Sequence, residues 1–281
     1  MNKDEILRAV VFERRRTLRL LRPMRADSFD AATALPGWRV REVVAHLITT
    51  DIAAITGRLL PVVFSSSTDR LEAWNDHQVG KWAGRPIPEL LVGLERWGRR
   101  FARFARLLPE PLFRLRLPSA WGKQPGGMMI WIRAYDEWVH RQDIRRALGM
   151  ADDEVDLAPV AEFLLRAIGY STLPKLASER GEVTVSLTGA PLSEWRFDLG
   201  RGRSGPVPDG GLGGSMAGEE LGGPVAAPKN EAAAHVAAPA HAFIMAAAGR
   251  HSFEELRANG LITIDGDQDR AWALLRQIRI V

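Results

Sequence analysis

Apolar residues in the first half of the chain recur every three to four positions, in blocks separated by proline and glycine. Ile6, Leu7, Val10, Val11, Leu18 and Leu21 lie at helical spacing ahead of Pro23, which predicts a helix over 4–21. A turn over 34–38 precedes Val40, Val44, Leu47, Ile48, Ile52 and Ile55, a second long helix that stops near 57–60. Leu71, Trp74 and Val79 mark a third, with Ser67 placed to cap it. Over 86–108 a strongly amphipathic fourth helix, ended by Pro109, carries Leu90, Leu91, Leu94, Trp97, Phe101, Phe104 and Leu107. After a loop over 118–127, a fifth spans 128–148 and is closed by Gly149. Four long helices with short or moderate connections predict an antiparallel four-helix bundle, whose core is a natural place for a site.

The helical texture runs to about residue 172. From about 181 the period becomes two: Val183, Val185 and Leu187 alternate as a strand, and Trp195, Phe197 and Leu199 as another. Glycine, proline and serine dominate the following stretch, read as a mobile loop near 200–224. A strand near 233–237, a helix at 239–248, a strand at 261–264 and a last helix over 267–278 follow. The expected class is therefore α+β, with a helical-bundle domain over 1–172 and a small α+β domain over 181–281.

A chain of 281 residues, 46% hydrophobic and 26% charged, has material for two modest domains. No run approaches the roughly 18 apolar residues of a membrane-spanning helix. The first residues lack the apolar core of a secretory signal, so a cytoplasmic protein with no membrane partner is expected. Cysteine is absent, which excludes disulfides, cysteine-ligated zinc, iron–sulfur clusters and a cysteine nucleophile. Thiol chemistry here would need a borrowed thiol. The net charge of +4 comes mostly from arginines spread along amphipathic helices, as over 13–19 and 96–106, and reads as a solvated basic face that could attract a small anion. No aromatic-interleaved or helix-turn-helix pattern accompanies it, so nucleic acid is not an expected partner.

The chemistry sits on two helices. On the fifth, Arg133, Asp136, His140 and Asp143 recur at steps of three and four, a polar stripe that must face water or a ligand. Asp136 and His140, at i and i+4, stand one above the other, which lets a carboxylate and an imidazole meet one metal ion. On the second helix His46 lies among Val43, Thr50, Ala53, Ala54 and Gly57, mostly small neighbours that leave room for a cavity. Two histidines and one carboxylate would leave positions open on a metal, as catalytic zinc and non-haem iron sites do. Spacing alone leaves a plainer alternative standing, in which His46 is a satisfied core histidine and Asp136 with His140 a surface pair.

The stretch 37–47, Gly-Trp-Arg-Val-Arg-Glu-Val-Val-Ala-His-Leu, resembles the opening motif of the mycothiol-dependent maleylpyruvate isomerase family, within the DinB-like metalloenzyme superfamily. The stretch 135–149, from Tyr135-Asp136-Glu137-Trp138-Val139-His140 to Gly149, is similar to the second motif of that family. Two motifs in the right order and roughly 90 residues apart are hard to obtain by chance. The resemblance implies that His46, Asp136 and His140 bind a divalent metal, expected to be zinc, and that mycothiol is the thiol cofactor. The family is expected to use glutamate where this chain has Asp136. Trp138, two residues on, favours Asp136 in register, while Glu137, at i and i+3 from His140, stays an alternative ligand.

The tail over 239–250 and 262–267 resembles the sterol-carrier-like C-terminal domain of the same family. There Arg250 is the candidate catalytic contact for a substrate carboxylate, or else a surface arginine after a helix. Arg133 and Asp143 are candidates for orienting Asp136 and His140. His77 is a candidate to approach the site from the third helix or an exposed helix residue, and His241 reads as a helix residue. The implied reaction is cis–trans isomerisation, or S-transfer, on a small electrophilic carbonyl compound by a monomer or homodimer. A non-catalytic metal- or ligand-binding protein using its C-terminal domain and a thiol-independent metallohydrolase are the alternatives.

Overall fold

The computed structural model describes residues 2–58, 60–63, 68–119, 122–190, 194–207 and 233–280. It divides into two compact units, Met1–Asp153 and Glu154–Val281. The first contains α1 (Lys3–Leu21), α2 (Val40–Thr56), the single turn α3 (Leu60–Val63), α4 (Thr68–Ala83), α5 (Ile87–Leu107), the short α6 (Glu110–Arg114) and α7 (Gly126–Ala147). α1 and α2 each pack against both α5 and α7, so these four long helices form the bundle, and α4 packs on α2.

Local signals set the helix ends. The Asn2 side chain accepts from the Glu5 N–H while the Glu5 carboxylate accepts from the Asn2 N–H, a reciprocal cap that satisfies two otherwise orphaned donors of α1. α2 stops at Gly57, whose φ of +71° is the left-handed conformation that costs other residues about 1–2 kcal/mol. The end of the loop expected over 118–127 is structured: β2 (Gln124–Pro125) pairs antiparallel with β1 (Arg116–Leu117), which precedes the loop, and α7 starts directly after β2. Ser67, expected to cap α4, lies outside the described residues.

Leu21, Phe29, Val44, Leu47, Leu94 and Ile144 belong to one apolar cluster with no exposed surface, each worth about 1.5–3 kcal/mol of burial. The bundle interior is not wholly apolar, and here the sequence expectation needs correcting. Glu13 and Arg14, assigned to the solvated basic face, are buried. They share the inward stripe of α1 with Val10, Thr17 and Leu21, and each meets opposite charge there. Arg141 Nη1 approaches Glu13 Oε2 at 2.5 Å and its Nε lies 3.4 Å from Asp153, which also pairs with Arg16. Arg15, Arg19, Arg96, Arg99, Arg103 and Arg106 do face solvent.

The second unit holds α8 (Ala158–Ser171), β3 (Glu182–Thr188), β4 (Glu194–Asp198), β5 (Arg203–Pro206), β6 (Ala234–Pro239), α9 (Ala240–Ala247), α10 (Phe253–Ala258), β7 (Thr263–Gly266) and α11 (Gln268–Leu275). The sheet order is β5-β4-β3-β6-β7, with β3 and β6 parallel and the other pairs antiparallel. Register aligns Val183 with Phe197 and Val185 with both Trp195 and Val236, so the alternate apolar residues form one buried face beneath α9 and α11.

Two boundaries differ from expectation. α8, placed with the bundle when the division was set at 172, falls in the second unit, where it packs on α9 and β5. The stretch read as a loop near 200–224 begins with β5, which pairs with β4 as far as Pro206; residues 208–232 lie outside the described residues. Among the described residues no helix is long and apolar enough to cross a membrane.

Candidate metal centre

α2 and α7 bring three donor side chains to one point. His46, from the middle of α2, and Asp136 and His140, one turn apart on α7, each offer a ligand atom, and all three atoms lie within 4.8 Å of one another. His46 Nε2 is 3.5 Å from Asp136 Oδ2, and His140 Nε2 is 3.3 Å from Asp136 Oδ1. Donors bound to a common zinc at about 2.0–2.2 Å are separated from one another by roughly 3–4 Å, so these spacings already suit an ion. Both imidazoles are buried and the Asp136 side chain keeps 24% of its exposure, which leaves the site a route to solvent.

Neighbouring groups hold the donors. Asp143, buried one turn beyond His140, lies 3.0 Å from His140 Nδ1 and so turns Nε2 toward Asp136. Arg133 donates Nη1 to Asp136 Oδ2 and is itself fixed by Asp51 Oδ1 at 3.2 Å and the Leu47 carbonyl at 3.2 Å. Trp38, from the turn before α2, places its ring 5.2 Å from His46 and 6.3 Å from His140, and its Nε1 donates to Asp76 on α4 at 3.0 Å. His46 Nδ1 is buried with no hydrogen-bond partner among the described residues.

The electrostatics are those of a cation site. Burial lowers the pKa of His46 against the pull of Asp136. At His140 burial is outweighed by Asp136 and Asp143, and the pKa rises to about 9. Burial would raise Asp136, yet His140, Arg133 and His46 hold it well below the ordinary carboxylate value. A proton on His140 thus occupies the place where the donor set favours positive charge. The same donors, two imidazole nitrogens and one ionised carboxylate, fit a divalent metal.

A pH dependence follows for the metal-free protein. Because the His140 pKa is raised on folding, its stabilisation is complete below about pH 6.5 and is lost as pH rises through about 9. Denaturant midpoints of metal-free protein on either side of that window are expected to fall with pH, and His140→Gln is expected to flatten the slope. An unflattened slope in that variant would assign the dependence elsewhere.

The other residues singled out from sequence divide clearly. Arg133 and Asp143 contact the cluster as described. Glu137 does not face the histidines: its carboxylate accepts from Arg14 Nε at 2.9 Å inside the bundle. His77 is exposed, although its neighbour Asp76 anchors Trp38. In the second unit Arg250 follows α9 and donates Nη1 to the Ala248 carbonyl at 2.6 Å, and His241 lies 3.4 Å from Glu154. Sequence reasoning missed Trp38, Asp51 and Arg14. Trp38 stood inside a quoted motif, whereas the other two are joined to the site only by pairing between helices.

Residues 12–145 match the sequence profile described as the Mycothiol maleylpyruvate isomerase N-terminal domain, and the three clustered residues lie within that span. No curated protein matches the chain by sequence. Among solved structures, the chain resembles the crystal structure of the mycothiol-dependent maleylpyruvate isomerase at a TM-score of 0.59 and 16% identity, covering 95% of each chain. A second crystal structure of that isomerase, a histidine-to-alanine mutant, matches at a TM-score of 0.58 with the same identity and coverage. At this identity the structures establish a shared fold across both units. By sequence, the N-terminal unit of this chain belongs to the mycothiol maleylpyruvate isomerase N-terminal domain family.

Proposed function

We propose that this chain is a metal-dependent enzyme that uses mycothiol to isomerise, or to transfer sulfur to, a small electrophilic carbonyl compound. The observation that carries the reading is the convergence of His46, Asp136 and His140 inside a bundle of this family. When bound, a divalent ion, zinc on this donor set, would hold the sulfur of a small thiol as thiolate at neutral pH, where a free thiol of pKa about 8.5 is mostly protonated.

The chain's own residues supply the frame for that chemistry. His46, Asp136 and His140 are the proposed ligands, Asp143 fixes the His140 tautomer, and Arg133 orients Asp136. A carbonyl-conjugated double bond that accepts the sulfur becomes single, turns, and re-forms as the sulfur departs, so no atom is gained or lost overall. Should the sulfur stay, the carbon next to the carbonyl takes up the proton that the thiol lost, and the outcome is S-transfer. The absence of cysteine from the chain accords with a thiol brought in from outside. A cytoplasmic monomer or homodimer is part of the same reading, and Arg250 is retained as a contact for a substrate carboxylate on the fit of guanidinium to that group.

Turnover of a cis-configured unsaturated keto acid tests this directly. Isomerisation is expected only with both a divalent metal and mycothiol present, and Arg250→Ala is expected to raise KM more than it lowers kcat. Metal-dependent turnover that ignores the thiol would instead favour a hydrolase acting through bound water. Metal uptake with no turnover on addition of thiol would favour a binding protein.

A further inference from the structure

Two adjacent carboxylates on α7 compete for one place. Asp136 and Glu137 both lie within about one turn of His140, and Glu137 has the longer arm, yet Asp136 alone of the two meets the imidazoles. A buried chain of ion pairs accounts for the choice. Arg14, on α1, donates Nε to Glu137 Oε2 at 2.9 Å and Nη1 to Asp51 Oδ2 at 2.8 Å, and the Leu94 carbonyl of α5 also accepts from Nη1 at 2.8 Å. The other oxygen of Asp51, on α2, accepts from Arg133 Nε at 3.2 Å. Arg133 then reaches Asp136. Its two ends are the neighbouring carboxylates: one end draws Glu137 toward α1, and the other presents Asp136 to the histidines.

The members have little freedom to swing. Asp51 and Glu137 are almost wholly buried and Arg133 nearly so, and each guanidinium is held by at least one backbone carbonyl as well as by carboxylates. Such a planar fork transmits orientation in a way a flexible ammonium does not. Neither Arg14 nor Asp51 makes a hydrogen bond or ion pair with His46, Asp136 or His140.

We infer that Arg14 and Asp51 are positioning residues which, through Arg133, select Asp136 over Glu137 as the carboxylate facing the histidines, and so set how tightly the centre holds a divalent ion. This rests on the metal-centre reading above, but concerns which carboxylate serves it and what aims that carboxylate.

Titration of the full chain with zinc against a chromophoric chelator, together with its visible spectrum when loaded with cobalt(II), tests the inference without any assay of turnover. Asp51→Asn keeps the size of the side chain and loses its charge; Arg133→Lys keeps the charge and loses the fork. Each is expected to weaken zinc binding by about 10–100-fold and to alter the cobalt spectrum, with helicity unchanged. Native affinity and a native spectrum in both variants would overturn the inference while leaving the metal centre intact. If Asp51→Asn fails to fold, Arg133→Lys carries the test alone. A wild-type protein that takes up neither metal would remove the centre itself, and this inference with it.

Discussion

Protein purified without a metal-affinity tag will carry about one equivalent of divalent metal, and His140→Ala will carry essentially none. The expectation follows from how the three donors are shared out. His46 lies on α2, whereas Asp136 and His140 lie on α7, so deleting either imidazole leaves two donors, too few to outcompete buffer and water. Loss of an outer-shell partner costs about 10–100-fold in metal affinity, and loss of a ligand is expected to cost more. Elemental analysis of the two proteins decides the matter. Equal metal content in wild type, His46→Ala and His140→Ala would mean that any bound ion sits elsewhere.

Arg141→Ala is expected to destabilise the folded chain by about 3–5 kcal/mol, independently of metal. Its guanidinium is 1% exposed and faces Glu13 at 2.5 Å and Asp153 at 3.4 Å, so truncation strips the buried Glu13 carboxyl of its cation while Asp153 keeps Arg16. Burial already pushes the Glu13 carboxyl up to about 7 against the pull of Arg141. The cost therefore comes from stranding one partner rather than from the pair's net worth. Replacing both, as Glu13→Leu with Arg141→Met, is expected to recover most of the loss, because apolar packing substitutes for a buried pair at little cost. Chemical denaturation of the single and double variants checks both statements; a double variant no more stable than Arg141→Ala would show that the pair does more than neutralise itself.

α1, α2 and α5 were legible because each repeats an apolar stripe over several turns, whereas α7, buried nearly all round, was marked by its polar stripe and by Gly149 at its end. α3, α6 and α10 are too short to show a period, although Ser252 with Glu255 three residues later is the written sign of the cap that starts α10. β5 escaped notice because Gly205 and Pro206 read as loop. Both are tolerated there because β5 is an edge strand, where a missing donor leaves no ladder bond broken. α8 was not singled out as a helix: residues 158–171 were only included in the helical texture running to about 172, whereas this helix lies in the second unit, because an apolar face says that something covers it and not what.

The site shows the same division. His46, Asp136 and His140 were readable because a short motif and an i, i+4 step carry them. Between Asp136 and Glu137 the register of Trp138 already favoured Asp136, but the pairing that draws Glu137 away, to Arg14 on α1 and through it to Asp51 on α2, was not readable because it joins separate helices. A run of arginines beside glutamate looks like a wet surface in one dimension, and only the pairing of α1 with α7 turns Glu13 and Arg14 inward.

The separation of the two histidines along the chain has a thermodynamic side. An ion held by both would act as a reversible cross-link between the second and seventh helices, closing a loop of roughly 90 residues that must open before the bundle can come apart. Free metal at a hundred times its dissociation constant would deepen the native well by about 2.7 kcal/mol. The quantity of folded protein in a cell would then track the local supply of the ion, even where no substrate is present.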